Sequence, residues 1–137
     1  MSLLVDTSVW SLAISRDRPP ETAEVEHLAR TIRTGQPIAT TGLILQELLQ
    51  GAVATTTRAA IVDRFNSVTM LVPTTADHIA TAELSNTCRR QGVQLKPVDA
   101  LIAQLSIAHD LVLLTADADF RHAAQHVPLR VWSTSSS

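Results

Sequence analysis

Residues 3–8 read LLVDTS and residues 111–117 read LVLLTAD. In both, an unbroken apolar run stops abruptly on hydroxyl and acidic residues. A short run without polar alternation is a strand covered on both faces, which is the mark of a parallel sheet. Asp6 follows the first run directly, and Asp117 lies three residues after Leu114. Open α/β sheets hold their ligands at the carboxyl ends of the strands. Two such ends would carry both acids to one crevice.

The remaining punctuation supports the same architecture. Helices are expected over residues 8–15, 22–33, 41–50 and 56–65. A longer one is expected from a Thr74 cap to about Arg90, and another from near Asp99, burying Leu101, Ile102, Leu105 and Ala108. Between them lie short apolar stretches at residues 38–40, 70–72 and 129–132 that read as strands. Strands alternating with helices make an α/β fold: a mainly parallel central sheet with helices on both faces. The 137 residues suit one domain over residues 1–132, followed by a polar tail at 133–137.

The chain is 45% hydrophobic and 18% charged, with formal net charge −2. That balance opposes nucleic-acid binding by bulk electrostatics but is compatible with a local basic patch. Cys88, the single cysteine, is expected as an apolar filler on a helix. The chain opens with neither a signal peptide nor an apolar run of membrane-spanning length, so a cytoplasmic protein without membrane contact is expected.

Among 13 acidic residues, four stand where packing does not call for one: Asp6, Glu47, Asp99 and Asp117. Taken singly, Asp6 and Asp99 read as helix N-caps, Asp117 as a turn residue, and Glu47 as a side chain snorkelling to water. Glu47 also has Leu43, Ile44 and Gly51 one turn away, which turns it toward an apolar stripe and inward. Taken together, clustered carboxylates repel one another, and a divalent cation relieves that repulsion. Oxygen-only ligands select Mg²⁺ or Mn²⁺ over zinc. His122 and His126 share the i, i+4 spacing of helical zinc ligands but have no intervening Glu and no Cys nearby, so they are expected on a solvated helix. His27, His78 and His109 read as helix-surface or helix-end residues.

The four acidic segments resemble, in order and spacing, the motifs of PIN-domain proteins. LLVDTS (residues 3–8) is similar to the first, QELLQG (46–51) to the second, VDALIAQLSIAH (98–109) to the third and LLTADADF (113–120) to the fourth. The compact length resembles the VapC toxins of VapBC toxin–antitoxin pairs. The resemblance implies a metal-dependent endoribonuclease in which Asp6, Glu47, Asp99 and Asp117 bind Mg²⁺ or Mn²⁺. It implies that Thr115 shapes the site and that Asp119 is an accessory acid. Cleavage would be in-line attack by a metal-activated water, leaving a 5′-phosphate and a 3′-hydroxyl. RNA would be the substrate, a VapB-type antitoxin the partner, and a homodimer the assembly, with residues 22–33 and 56–65 carrying apolar stripes for it. Arg16, Arg18 and Lys96 are candidates for positioning RNA, with Arg89 and Arg90 behind them.

Other readings stand beside this one. A Mg²⁺-dependent phosphotransfer domain using Asp6 as nucleophile usually has a second Asp two residues on, where this chain has Ser8. A receiver-like domain needs an Asp at the end of a middle strand, where residues 70–72 run into Pro73. A catalytically inactive PIN-type binding module would keep the fold without turnover.

Overall fold

The computed structural model describes residues 2–14, 21–51 and 54–134. Strand β1 (Leu3–Val5) is buried at every position and leads into helix α1 (Thr7–Ile14). Helix α2 (Ala23–Arg33) starts at Thr22, whose hydroxyl accepts the Val25 N–H at 3.2 Å. That cap satisfies one of the donors a helix leaves orphaned at its first turn. Gly35, at φ 69°, turns the chain after α2 in the left-handed region where glycine carries no steric cost. Strand β2 (Ile38–Thr41) is fully buried and runs directly into α3 (Gly42–Gly51), then α4 (Thr55–Phe65).

Strand β3 (Thr69–Leu71) follows, and then α5 (Thr75–Arg90). Thr74 and Asp77 form a reciprocal capping box at the start of α5. Helix α6 (Pro97–Ala108) begins two residues earlier than the sequence suggests. Pro97 occupies its first turn, where the missing N–H is no loss and the ring's φ suits a helix. Ala108 is exposed rather than buried, because the inner row of α6 runs through Ala100, Leu101, Ile102, Ala103 and Leu105. Strand β4 (Val112–Leu114), helix α7 (Ala118–Ala123) and strand β5 (Arg130–Val131) complete the chain.

All strand pairings are parallel, in the order β3-β2-β1-β4-β5. The chain thus builds outward from β1 to one side, then returns to its other side. Leu3, Leu4 and Val5 pair in register with Val112, Leu113 and Leu114. The switch of direction therefore lies between β1 and β4, and beyond the carboxyl ends at such a switch open α/β sheets form their ligand crevice.

One aliphatic core fills the layers, centred on Leu4, Val5, Val9, Ile44, Ile102, Leu105, Leu113 and Leu114. Each such side chain contributes roughly 1.5–3 kcal/mol by leaving water. Trp10 and Phe65 meet at 5.0 Å between ring centroids, joining α1 to α4. Cys88 is a buried filler on α5, as expected, and burial pushes its thiol up.

Val25 and Leu28 of α2 and Ile61 and Phe65 of α4 are buried, so the stripes of these helices serve the chain's own interior in part, while Val25, Leu28 and Ile32 also line a groove between α1, α2 and α4. Among the described residues the exposed large apolar side chains are Val62, Met70, Val72 and Ile79. Strand β3 lies at the sheet edge with Thr69 and Met70 exposed, which is why a strand read as apolar is not a covered one. No helix among the described residues is long and apolar enough to cross a membrane.

Candidate metal centre

Asp6 is the first residue beyond β1 and is only 4% exposed. Its backbone N–H donates to the Leu114 carbonyl at 2.9 Å, tying the ends of β1 and β4 together. Its carboxylate accepts on one oxygen only. Oδ2 receives the Ser8 hydroxyl at 2.7 Å, the Thr115 hydroxyl at 3.0 Å and, more loosely, the Ser8 N–H at 3.4 Å. Among the described residues Oδ1 receives no donor. Burying a carboxylate is costly without hydrogen bonds; here Oδ2 carries them and Oδ1 carries none among the described residues.

The hydroxyls are themselves held. Ser8 Oγ accepts the Ala116 N–H at 3.0 Å, and Thr115 Oγ1 accepts the Asp117 N–H at 3.0 Å. Thr115 is fully buried. The loop after β4 is thereby clamped onto the start of α1. Asp117 is the N-cap of α7, and its Oδ1 accepts the Asp119 N–H at 2.9 Å. Its other oxygen has no donor among the described residues. The turn role considered for Asp117 is therefore a capping role, and it still leaves one oxygen uncommitted.

Asp99 is the third residue of α6, not its cap, which is Lys96. Its half-buried side chain has no hydrogen-bond partner among the described residues. Burial first, and then the carboxylates of Asp6, Asp117 and Glu47, push its pKa up to about 6, against a weaker opposing pull from Lys96. Asp6 after β1, Glu47 on α3 and Asp117 after β4 thus all act on Asp99 of α6.

Glu47 corrects an expectation. It is exposed, not turned inward. The buried row of α3 is Ile44 and Leu48. Glu47 is about 100° around the helix from Leu48, so it flanks the stripe instead of entering it. It reaches the crevice along the rim, where Thr7 Oγ1 donates to its Oε1 at 2.8 Å.

Asp119 is exposed and offers the site its backbone N–H. Its carboxylate is not among the charges that act on Asp99. Lys96 is exposed at the start of α6, beside the acids. Arg16 and Arg18 lie outside the described residues. Arg89 and Arg90 sit in the last turn of α5 and bond to Asn86 and Thr87 of their own helix.

His122 is on α7, but His126 lies beyond its end, so the two do not share a helical face. His27 is not a plain surface residue either: its ring stacks on Trp132 at 4.4 Å.

Thr7 and Ser8 are the residues that sequence reasoning passed over as chemistry. A visible signal existed, since two consecutive hydroxyls directly follow an acid at a strand end. Their two different acceptors are a tertiary fact.

The donor set fits a hard divalent cation: carboxylate oxygens only, several of them unspoken for. Among the described residues no three His, Cys, Asp or Glu side chains close on one point as a finished cage.

The fold has counterparts elsewhere. A comparison with curated protein sequences gives no match. Among solved structures, the chain is similar to one in the VapBC2 complex of Rickettsia felis bound to promoter DNA, at 19% identity and TM-score 0.75. That match covers 96% of this chain and 98% of the other. It is similar to a chain of DNA-bound VapBC from Salmonella typhimurium at 20% identity and TM-score 0.73, covering 96% and 97%. It is also similar to VapC20 of Mycobacterium tuberculosis, a sarcin-ricin loop cleaving toxin, at 21% identity and TM-score 0.67, covering 93% and 98%. The PIN-domain family model matches residues 3–125, a span that runs from β1 past the end of α7 and takes in all four acids. The chain therefore belongs to the PIN-domain family.

Proposed function

We propose that this protein is a Mg²⁺- or Mn²⁺-dependent endoribonuclease and the toxin of a VapBC-type toxin–antitoxin pair. The observation that carries the reading is the state of Asp99. A half-buried carboxyl with no hydrogen-bond donor among the described residues, pushed up to about 6 first by burial and then by the facing carboxylates, is an expensive feature unless a cation is meant to sit among them.

Asp6, Glu47, Asp99 and Asp117 would hold the metal. When bound, it would neutralise charge on a scissile phosphate and lower the pKa of water. The protein's own groups do the rest. Asp6 is oriented by Ser8 and Thr115 through Oδ2, so that Oδ1 faces the crevice. Asp117 is oriented by its bond to the Asp119 N–H. Lys96, on the rim, is placed to attract an RNA phosphate, and Arg16 and Arg18 are proposed to assist it. Residues 1–132 form the catalytic domain, with 133–137 as its tail.

The family relationship supports the choice of nuclease chemistry, as does the similarity to the M. tuberculosis sarcin-ricin loop cleaving toxin. A VapB-type antitoxin is the proposed partner. A groove of ≈ 510 Å³ between α1, α2 and α4, lined by Trp10, Ile14, Val25, Leu28 and Ile32 among others, suits an apolar segment of such a partner. The proposed setting is the cytoplasm and the proposed assembly a homodimer.

The test is sequencing of RNA 5′ ends after brief expression of the chain, against an Asp6→Asn control. New 5′-phosphate ends at discrete positions that vanish in the control are expected. Identical end profiles from the two chains would leave a binding module without turnover as the better reading.

A further inference from the structure

Glu47 is the outlier of the four acids. Asp6 is buried beside the sheet, and Asp99 and Asp117 are half-buried at helix starts. Glu47 stands exposed on the flank of α3, on a longer side chain with more rotamers to lose on ordering. An exposed, freely rotating carboxylate is a poor ligand. What holds it is one hydrogen bond from a residue 40 positions away: Thr7 Oγ1 donates to Glu47 Oε1 at 2.8 Å.

The geometry of Thr7 makes that bond directional. Thr7 is the first residue of α1 and immediately follows Asp6. Its neighbour Ser8 turns its hydroxyl the other way, onto Asp6 Oδ2. Two consecutive hydroxyls therefore serve two different carboxylates, one from β1 and one from α3. The branched side chain of Thr7 has only two common χ1 positions in a helix, so few orientations of its hydroxyl compete with this one. The narrow cleft between α1 and α3 beneath the contact, ≈ 60 Å³, is lined by Thr7, Ile14, Glu47, Leu48 and Ile61 among others. By occupying Oε1, Thr7 leaves Oε2 as the oxygen without a donor among the described residues.

We infer that Thr7 is a positioning residue for the metal centre: its hydroxyl orders the exposed Glu47 carboxylate so that Oε2 is presented to the cation. This rests on the metal-centre reading given above. Partners that orient metal ligands typically change metal affinity or activity about 10–100-fold when lost.

The experiment measures Mn²⁺ dissociation constants by titration calorimetry on the full chain, beside the melting temperature of each variant in chelator. Thr7→Val keeps the branched shape and removes the hydroxyl; Thr7→Ser keeps the hydroxyl. Thr7→Val is expected to weaken Mn²⁺ binding about tenfold, at the low end of that range. Its chelated melting temperature should stay near that of the wild type, and Thr7→Ser should restore the affinity. Added to Glu47→Gln, Thr7→Val should weaken binding no further, because its effect passes through that carboxylate. Wild-type affinity in Thr7→Val, or a full additional loss in the double variant, overturns the role of Thr7 while leaving the metal centre standing. A wild-type chain that takes up no Mn²⁺ overturns the metal centre itself and this role with it.

Discussion

Asp6 and Asp99 face the same crevice from opposite circumstances. Asp6 is nearly buried yet receives the hydroxyls of Ser8 and Thr115 on one oxygen. Asp99 is half-buried, has no donor among the described residues, and is pushed up to about 6 in part by Asp6 itself. One carboxyl is therefore served by hydroxyl donors and the other by none among the described residues.

The first consequence is a pH dependence in chelator. The unfolded Asp99 ionises near its ordinary value of about 4 and the folded one near 6. Below about pH 4 both states carry the proton and the residue costs nothing. As pH rises from 4 to 6 only the unfolded chain ionises, so stability falls; above 6 the penalty is constant. Screening at a half-exposed carboxyl limits this to about 1 kcal/mol. Urea melts of wild type and Asp99→Asn at pH 4 and pH 7 should show that the variant lacks this loss. Parallel pH profiles would contradict it.

Metal should reverse the same penalty. Mg²⁺ or Mn²⁺ at about a hundred times its dissociation constant stabilises by about 2.7 kcal/mol, which raises the melting temperature by on the order of 8 °C for a domain of this size. Differential scanning fluorimetry across millimolar Mn²⁺ reads this directly. A flat melting temperature is the adverse result.

Charge removal separates catalysis from folding. Asp6→Asn, Asp99→Asn and Glu47→Gln keep size and leave the backbone contacts in place. Each should remain folded and lose about a hundredfold or more in RNA cleavage, the scale of losing several kcal/mol of charge stabilisation. Asp6→Asn can still accept the Ser8 and Thr115 hydroxyls through its amide oxygen, so circular dichroism should match the wild type. Cleavage at the wild-type rate by any two of the three would remove the case for a carboxylate-held metal.

Thr115 should matter for stability as well as for the site. It is fully buried, donates to Asp6 and accepts from the Asp117 N–H. Thr115→Val removes both bonds and leaves a backbone N–H without its partner, at about 1–3 kcal/mol. Thr115→Ser should recover most of it. Equal urea midpoints for Val and Thr at this position would show that the clamp between β4 and α1 carries no weight.

The homodimer is tested by light scattering at micromolar concentration, where a mass of about twice the 14.8 kDa chain is expected. A monomer mass would dispose of it. Among the described residues the exposed large apolar side chains are Val62 on α4 and Met70, Val72 and Ile79 around β3 and α5.

The amino-acid sequence alone determined the alternation of strands and helices, the parallel sheet, and the arrival of Asp6 and Asp117 at neighbouring strand ends. Those follow from runs such as Leu3–Val5 and Val112–Leu114, because an apolar run without alternation must be covered on both faces. Helix starts were less legible: Pro97 opens α6 and so moves Asp99 inside the first turn. Only the tertiary structure decided how the acids are served. Glu47 flanks a buried row rather than joining it, since a step of 100° around a helix separates a core position from a rim position. Ser8 and Thr115 meet on Asp6, 2 and 109 residues away along the chain, and Thr7 meets Glu47 at 40. Hydrogen bonds depend on angles and tenths of an ångström set by packing, and linear spacing does not carry that information.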